Sequence, residues 1–229
     1  MAHHQEFEFI AAVKAALPQF FRGQRVLEVG SLDINGSIRT AFEDCDYTGA
    51  DLSPGPGVDI ACPGQLLAFP SGHFDVCLSC ECFEHNPYWV ETWSNMLRMT
   101  RPGGLVLMSC ATTGRREHGT TRSAPESSPF TVEHGWNYYR NLTAADFEHR
   151  FDLSQWFSDS AFIVSAESFD LYFVGIVKGG PALPTTLVAE LRQRFSPSRS
   201  AKALKRRLKM LVLRNFLSSP PSAYLKGRR

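Results

Sequence analysis

The sequence predicts an α/β fold, a doubly wound and mostly parallel sheet of the Rossmann-like kind with an antiparallel C-terminal edge strand. Three observations predict it. Short apolar runs alternate with segments of helical periodicity, the pattern of parallel strands joined by crossover helices and covered on both faces. The first run, "RVLEVG" at 25–30, leaves through a glycine. A long β-rich run, "SFDLYFVGIVKGG" at 168–180, follows the last helical segment of the body.

The elements follow in order. "FEFIAAVKAAL" (7–17) spaces its apolar groups as a helix does, and Pro18 ends it. After the strand at 25–30, "DINGSIRTAF" (33–42) reads as a loop and then a helix. "DYTGADLS" (46–53) is a second strand ending in Asp51, "GPGVDI" leads into a short third, and "FDVCLSCEC" (74–82) is a fourth. "PYWVETWSNMLRMT" (87–100) is an amphipathic helix with Pro87 near its first turn. "RPGG" is a turn before a fifth strand, "LVLMSCA" (105–111). Residues 112–141 are polar and spotted with aromatics; a loop that long in a compact domain is functional or disordered. Thr143 caps the helix that opens "LTAADFEHRF" (142–151), with Asp146 as its acidic partner.

Charge divides the chain. Residues 190–229 carry 12 basic groups against the single acid Glu190, which leaves 12 basic and 22 acidic residues in 1–189. An acidic body of about −10 therefore precedes a tail of about +11. With "GGPALP" as the boundary, the domain expectation is 1–180 for the α/β unit and 181–229 for a basic tail with an amphipathic helix. No signal pattern opens the chain and no run of 18 apolar residues occurs, so a cytoplasmic protein is expected.

The chemistry concentrates at strand ends. Gly30 permits a tight turn and a close ligand approach. Asp51, one βα unit later, is placed to accept both hydroxyls of a ribose. A nucleoside-containing cofactor follows from the pair. A dinucleotide would need room for a pyrophosphate, usually with G-x-G-x-x-G; "GSLDING" lacks that spacing and puts Asp33 where a phosphate would be repelled.

Four segments in this order resemble the class I S-adenosylmethionine-dependent methyltransferases over about residues 20–178: "VLEVGS", "YTGADLS", "LLAFPSGHFDVCLSCECFEH" and "MLRMTRPGGLVLMS". The resemblance implies S-adenosyl-L-methionine as cofactor. It implies that Glu28, Gly30 and Ser31 lie against the methionine part, Asp51 holds the ribose, Leu52 lies beside the adenine, and Ser79 and Cys80 line the methionine side. The chain departs from the family pattern at Leu32, where a second glycine is usual, and at Pro63 and Gly64, where an acid often meets the adenine amine.

The cysteines of "CLSCECFEH" (77–85) are read as apolar packing, with no metal and no redox role, because strand alternation turns Cys77 away from Cys80 and Cys82. Oxygen acceptors need a base, which makes His118, then His85 and His134, the catalytic candidates. Arg115 and Arg122 are candidates for an anionic acceptor, and Trp136, Tyr138 and Tyr139 for packing a sugar or flat ring. The expected reaction is O-methylation of a small-molecule or glycan-type hydroxyl. N-methylation and a non-catalytic methyltransferase-like binding module are the alternatives. Residues 191–217 place Leu204, Leu208, Leu211 and Val212 on one stripe among cations, the profile of a helix on an anionic membrane surface or docked on an acidic body. Nucleic acid is not an expected partner, since no module of stacking aromatics accompanies the charge.

Overall fold

The computed structural model describes residues 4–195 as a seven-stranded sheet with helices on both faces. The strands are β1 (Arg25–Val29), β2 (Asp46–Asp51), β3 (Ile60–Ala61), β4 (Phe74–Cys80), β5 (Thr100–Ala111), β6 (Phe157–Ser165) and β7 (Asp170–Val177). Their order is β3-β2-β1-β4-β5-β7-β6. The first five run parallel, and β7 pairs antiparallel with both β5 and β6. The winding reverses between β1 and β4, so a ligand crevice belongs outside the carboxyl ends of those two strands.

The helices are α1 (His4–Ala16), α2 (Trp89–Met99), α3 (Pro129–Glu133), α4 (Ala144–Glu148), α5 (Leu153–Trp156) and α6 (Thr185–Phe195). α1 and α6 cover one face of the sheet. Phe9, Ile10 and Val13 of the first, with Leu187, Leu191 and Phe195 of the second, join Val26, Leu78, Leu107 and Tyr172 in one buried cluster. Phe9 stacks on Tyr172 with ring centroids 4.7 Å apart, a pairing that adds about 1 kcal/mol beyond burial. α2 and α4 cover the other face, where Trp93, Met96 and Phe147 pack on Leu27, Cys77, Val106 and Phe173.

Three elements differ from the sequence reading. The helix expected within 33–42 is only a 3-10 turn, Ile38–Ala41. Ser37 accepts from the Arg39 N–H, and the Arg39 side chain is drawn off to Asp59 and to the Tyr47 carbonyl, which fixes the turn where a helix would continue. β5 takes in the "RPGG" segment, and the register jumps from Phe74↔Thr100 to Val76↔Leu105, so the turn survives as an irregularity inside the strand. β6 was not anticipated. Its "FSDSAFIVS" mixes serines and an aspartate into the alternation, and pairing to the fully buried β7 is what makes it a strand. The antiparallel strand expected at 168–180 is β7, and β6 lies outside it at the sheet edge.

α4 carries the expected cap, with the Asp146 carboxylate accepting from the Thr143 N–H at 2.8 Å. Packing on the first face continues past "GGPALP" through Leu183 to Phe195. The remainder of the basic segment, including the stripe from Leu204 to Val212, lies outside the described residues. Among the described residues no helix is long and apolar enough to cross a membrane.

Candidate active site

The crevice predicted by the winding exists. Gly30 follows β1 at φ +84°, and its N–H donates to the Ala50 carbonyl at 2.8 Å. A Cβ at this position would stand 2.5 Å from the Cys82 Cβ. The glycine therefore serves backbone conformation and close packing against Cys82, rather than open space for a ligand. Asp51 ends β2 with one carboxylate oxygen accepting from the Leu32 N–H (3.0 Å) and the other from its neighbour Leu52 (2.7 Å). Burial raises its pKa, and these two N–H groups pull the other way. Each oxygen keeps a second lone pair for a ligand hydroxyl. The loop itself is held by β2 and its exit: the Asp33 N–H donates to Pro56, and Gly57 passes so close that a Cβ would lie 2.6 Å from the Ser31 carbonyl.

Glu28 lies beneath this loop, 6% exposed, its Oε2 accepting from the Tyr47 hydroxyl at 2.7 Å. Burial outweighs that bond and pushes its carboxyl up to about 7. Glu6, Glu28, Asp33, Asp51 and Glu81 all line the crevice, and among the described residues no lysine or arginine does. A wall of carboxyl groups without lysine or arginine among the described residues suits a cationic ligand better than a pyrophosphate, even with burial holding Glu28, Asp51 and Glu81 toward their neutral forms. Cys62, Pro63 and Gly64 line the far end, where the departure from the family pattern falls.

The segment between β5 and α4 roofs the crevice. Ser127, Ser128, Phe130 and Thr131 face into it, as does Trp136, whose ring lies edge-on to Tyr88 with centroids 5.4 Å apart. His134, just past α3, lies 2.9 Å from the Ser53 hydroxyl and ties the roof to the loop after β2.

At the opposite end, the loops after β4 and β5 meet. Glu84 and His85 sit on a 3-10 turn, fully buried and 3% exposed. His118 comes from the loop after β5, and one potential ligand atom from each of Glu84, His85 and His118 lies within 4.8 Å of the other two. The imidazoles meet edge to face at 4.9 Å, with Tyr139 tilted against both. Gly119, at φ +63°, passes directly over His85, since a Cβ there would stand 2.6 Å from its ring. Burial lowers the pKa of both histidines, His85 to about 3, so both are neutral near pH 7. Burial raises Glu81 and Glu84.

The residues singled out from the sequence fall into separate groups. Glu28, Gly30, Ser31, Asp51, Leu52, Cys80, His85 and Trp136 line the crevice. Ser79 does not; its hydroxyl donates to the Val29 carbonyl at 2.8 Å and joins β4 to β1. His118 stands behind His85, and His134 lies away from both, beside Ser53. Arg115 braces Asp170 at 3.1 Å and the Ser168 carbonyl, and Arg122 pairs with Glu117 at 2.8 Å. Tyr138 is half-buried, and the Tyr139 hydroxyl donates to the Arg116 carbonyl.

Glu6 was missed. It sits on the same α1 stripe as Phe9, Ile10 and Val13, so helical spacing alone could have marked it as an acid on a buried face. Cys77 and Cys80 face opposite sides of the sheet as alternation requires. Cys82 does not follow Cys80, because β4 ends first and Glu81 takes φ +50°. All six thiols are free, and burial pushes Cys77 up to about 12.

Residues 27–108 match the family model described as a methyltransferase domain. A Mycobacterium marinum protein named as an uncharacterized methyltransferase is 42% identical over 107 residues, 42% of each chain. The chain spans about two fifths of the length of the curated relatives it matches. Among solved structures, the Burkholderia thailandensis 1,6-didemethyltoxoflavin N1-methyltransferase, with its substrate and S-adenosylhomocysteine bound, aligns with TM-score 0.50 at 16% identity, covering 76% of this chain and 80% of that one. Haemonchus contortus phosphoethanolamine N-methyltransferase 2, in complex with phosphomonomethylethanolamine and S-adenosylhomocysteine, aligns with TM-score 0.51 at 20% identity, covering 92% of this chain and 48% of that one. At these identities the two structures share the fold.

Proposed function

We propose that the chain, whose residues 27–108 match a methyltransferase domain, works as a class I S-adenosylmethionine-dependent methyltransferase and methylates a hydroxyl oxygen of a small-molecule or glycan-type acceptor. The observation that carries the cofactor is the acidic crevice: five carboxyl groups, no lysine or arginine among the described residues, and Asp51 at the end of β2 with acceptor capacity to spare. Bound there, the cofactor supplies an electrophilic methyl group on a cationic sulfur. Asp51 accepts from the ribose hydroxyls. Pro63 and Gly64 offer the adenine backbone groups in place of an acid. Glu28, whose carboxyl titrates near 7, can ionise against the cationic sulfur, which favours its charged form.

The oxygen acceptor is supported by His85. It lines the crevice as a neutral imidazole, and a hydroxyl can donate to its free ring nitrogen. A pKa of about 3 makes it a weak base, yet an alkylated hydroxyl is a far stronger acid than such an imidazolium, so the proton can leave as the new bond forms. Trp136 at the mouth offers an apolar face for a ring or sugar.

Calorimetry with S-adenosylmethionine and S-adenosylhomocysteine tests the cofactor. Saturable binding supports the reading, and no binding would leave a non-catalytic module. Transfer of a labelled methyl group onto fractionated cell extract, with mass spectrometry of the product, tests the acceptor. A methyl ether is expected, and a methyl ester or a methylated nitrogen overturns the choice of a hydroxyl oxygen.

A further inference from the structure

Behind the crevice wall lies a cluster that the cofactor reading does not use. Glu84 is fully buried, and its carboxyl oxygens face only the backbone N–H groups of Glu84 itself and Ala111, neither in full hydrogen-bond geometry. The His85 Nδ1 is likewise buried and has no hydrogen-bond partner among the described residues, and its Nε2 stands 4.0 Å from the Glu84 Oε1. His118 sets its own tautomer: Nδ1 lies 3.0 Å from the Arg116 carbonyl, which can only accept, so Nδ1 carries the proton and Nε2 keeps its lone pair. That Nε2 is also buried and lacks a partner among the described residues. Burying such atoms without a partner costs about 1–3 kcal/mol each, so the cluster has a reason to be kept only if something satisfies it.

We propose that Glu84, His85 and His118 bind one divalent transition-metal ion, with a coordination position left open toward the crevice. Two imidazole nitrogens and one carboxylate form a donor set suited to zinc and its first-row neighbours, and three protein ligands plus an open position is the pattern of catalytic sites. The hydrogen bond from His118 to the Arg116 carbonyl is the outer contact that orients a ligating histidine. The Tyr139 hydroxyl shares that carbonyl and holds it in place. The donors stand within 4.8 Å, wider than the roughly 3.3 Å implied by metal–ligand bonds of about 2.1 Å, so side-chain rotations of about 1 Å close the site. Strand alternation of the cysteines led to the expectation of no metal in this chain; the ligands are instead Glu84 and His85 from the same stretch, with His118. His85 borders the crevice, so the open position faces the acceptor end. Binding of the ion does not depend on methyl transfer; only its use in orienting an acceptor oxygen rests on the function proposed above, and because a neutral imidazole has a single lone pair, an ion held on His85 takes the place of the hydroxyl's hydrogen bond to that ring.

The test uses the full chain stripped with a chelator. Calorimetry with zinc should give one equivalent per chain, and cobalt should give a visible absorption band of low coordination number. His118→Ala, whose residue is only partly buried, and the near-isosteric Glu84→Gln should each weaken zinc binding by about tenfold or more. His4→Ala and His149→Ala, at exposed positions away from the crevice, should leave it unchanged. Circular dichroism and S-adenosylhomocysteine titration on the same samples show whether each variant is folded with its cofactor site intact. Stoichiometric binding lost in both folded ligand variants supports the site. Absent binding in the folded wild-type chain, or binding undiminished in the Glu84→Gln/His118→Ala double variant, overturns it. Neither result changes the cofactor titration, which alone tests the methyltransferase reading.

Discussion

The two ends of the crevice are built in different ways. The cofactor end draws on residues 28–64, nearly contiguous in the chain, and its key bonds run from backbone N–H groups to Asp51. The acceptor end draws on the turn at 83–85, the loop at 115–119 and Tyr139, brought together by side-chain packing. One end is a strand-and-turn motif with polar groups paired. The other is a buried cluster whose polar atoms are only partly satisfied. A motif of the first kind fixes where a ligand lies, while the second leaves room for a particular acceptor or ion to be selected.

The strongest way to break this contrast is Asp51→Ala. It removes acceptors for two loop N–H groups and for the ribose together. The affinity for S-adenosylhomocysteine should fall by about 4 kcal/mol, roughly a thousandfold, by calorimetry. The neutral pair at the acceptor end should be undisturbed, so zinc binding should be unchanged. A loss below about threefold would mean that Asp51 only organises the loop.

Glu28 sharpens the electrostatic side. Its folded carboxyl titrates near 7 against 4.5 for the unfolded group, so the native state holds the extra proton between those values. Its contribution to stability is therefore full below about pH 4.5 and is lost as pH rises toward 7, by on the order of 3 kcal/mol. Glu28→Gln keeps an acceptor for Tyr47 and removes the titration. Denaturant melts should show the two proteins alike near pH 4 and the variant more stable above pH 7, while parallel curves would mean that the carboxyl ionises freely. S-adenosylmethionine, which carries one more positive charge than S-adenosylhomocysteine, should gain affinity relative to it as pH rises through about 7 and native Glu28 ionises, and the variant should flatten that difference.

The contrast also explains what the sequence disclosed. Gly30 and Asp51 are legible as crevice residues because a strand exit needs a glycine conformation and because Asp51 ends the next strand, both local features. Even there, the reason for Gly30 was only half visible, since its contact with Cys82 crosses 52 positions and depends on Glu81 reversing the chain. The fold was legible where periodicity was clean, as in α1 and α2, and not where tertiary pairing decided, as in β6. Histidines could be named as candidates, but nothing local distinguishes His118, packed on His85, from His134, tied to Ser53. Arg115 was similarly opaque, because its partner Asp170 lies on a strand 55 positions away.

Gly30→Ala follows as a test of that packing. A Cβ at 2.5 Å from another Cβ, at φ +84°, should cost about 2 kcal/mol of stability. Cys82→Gly in the same chain removes the opposing atoms and should restore part of the loss, about half, leaving the share due to backbone strain. A full restoration would assign the whole cost to packing, and none would assign it to conformation.

The smallest effect is expected at the roof. His134→Ala deletes a 2.9 Å contact to Ser53 between two exposed groups, worth about 0.5 kcal/mol. Global stability should barely move, because solvent replaces the lost partner on both sides. Affinity for S-adenosylhomocysteine should fall by about twofold, since the roof is then free to lift from the loop after β2. The informative comparison is kinetic. A roof held by this contact should release the ligand faster in the variant with association little changed, because a pin that acts only on the closed state appears in dissociation. If stopped-flow rates are identical in the two proteins, the roof is held by Phe130 packed against Gly55 and Leu32, not by the histidine.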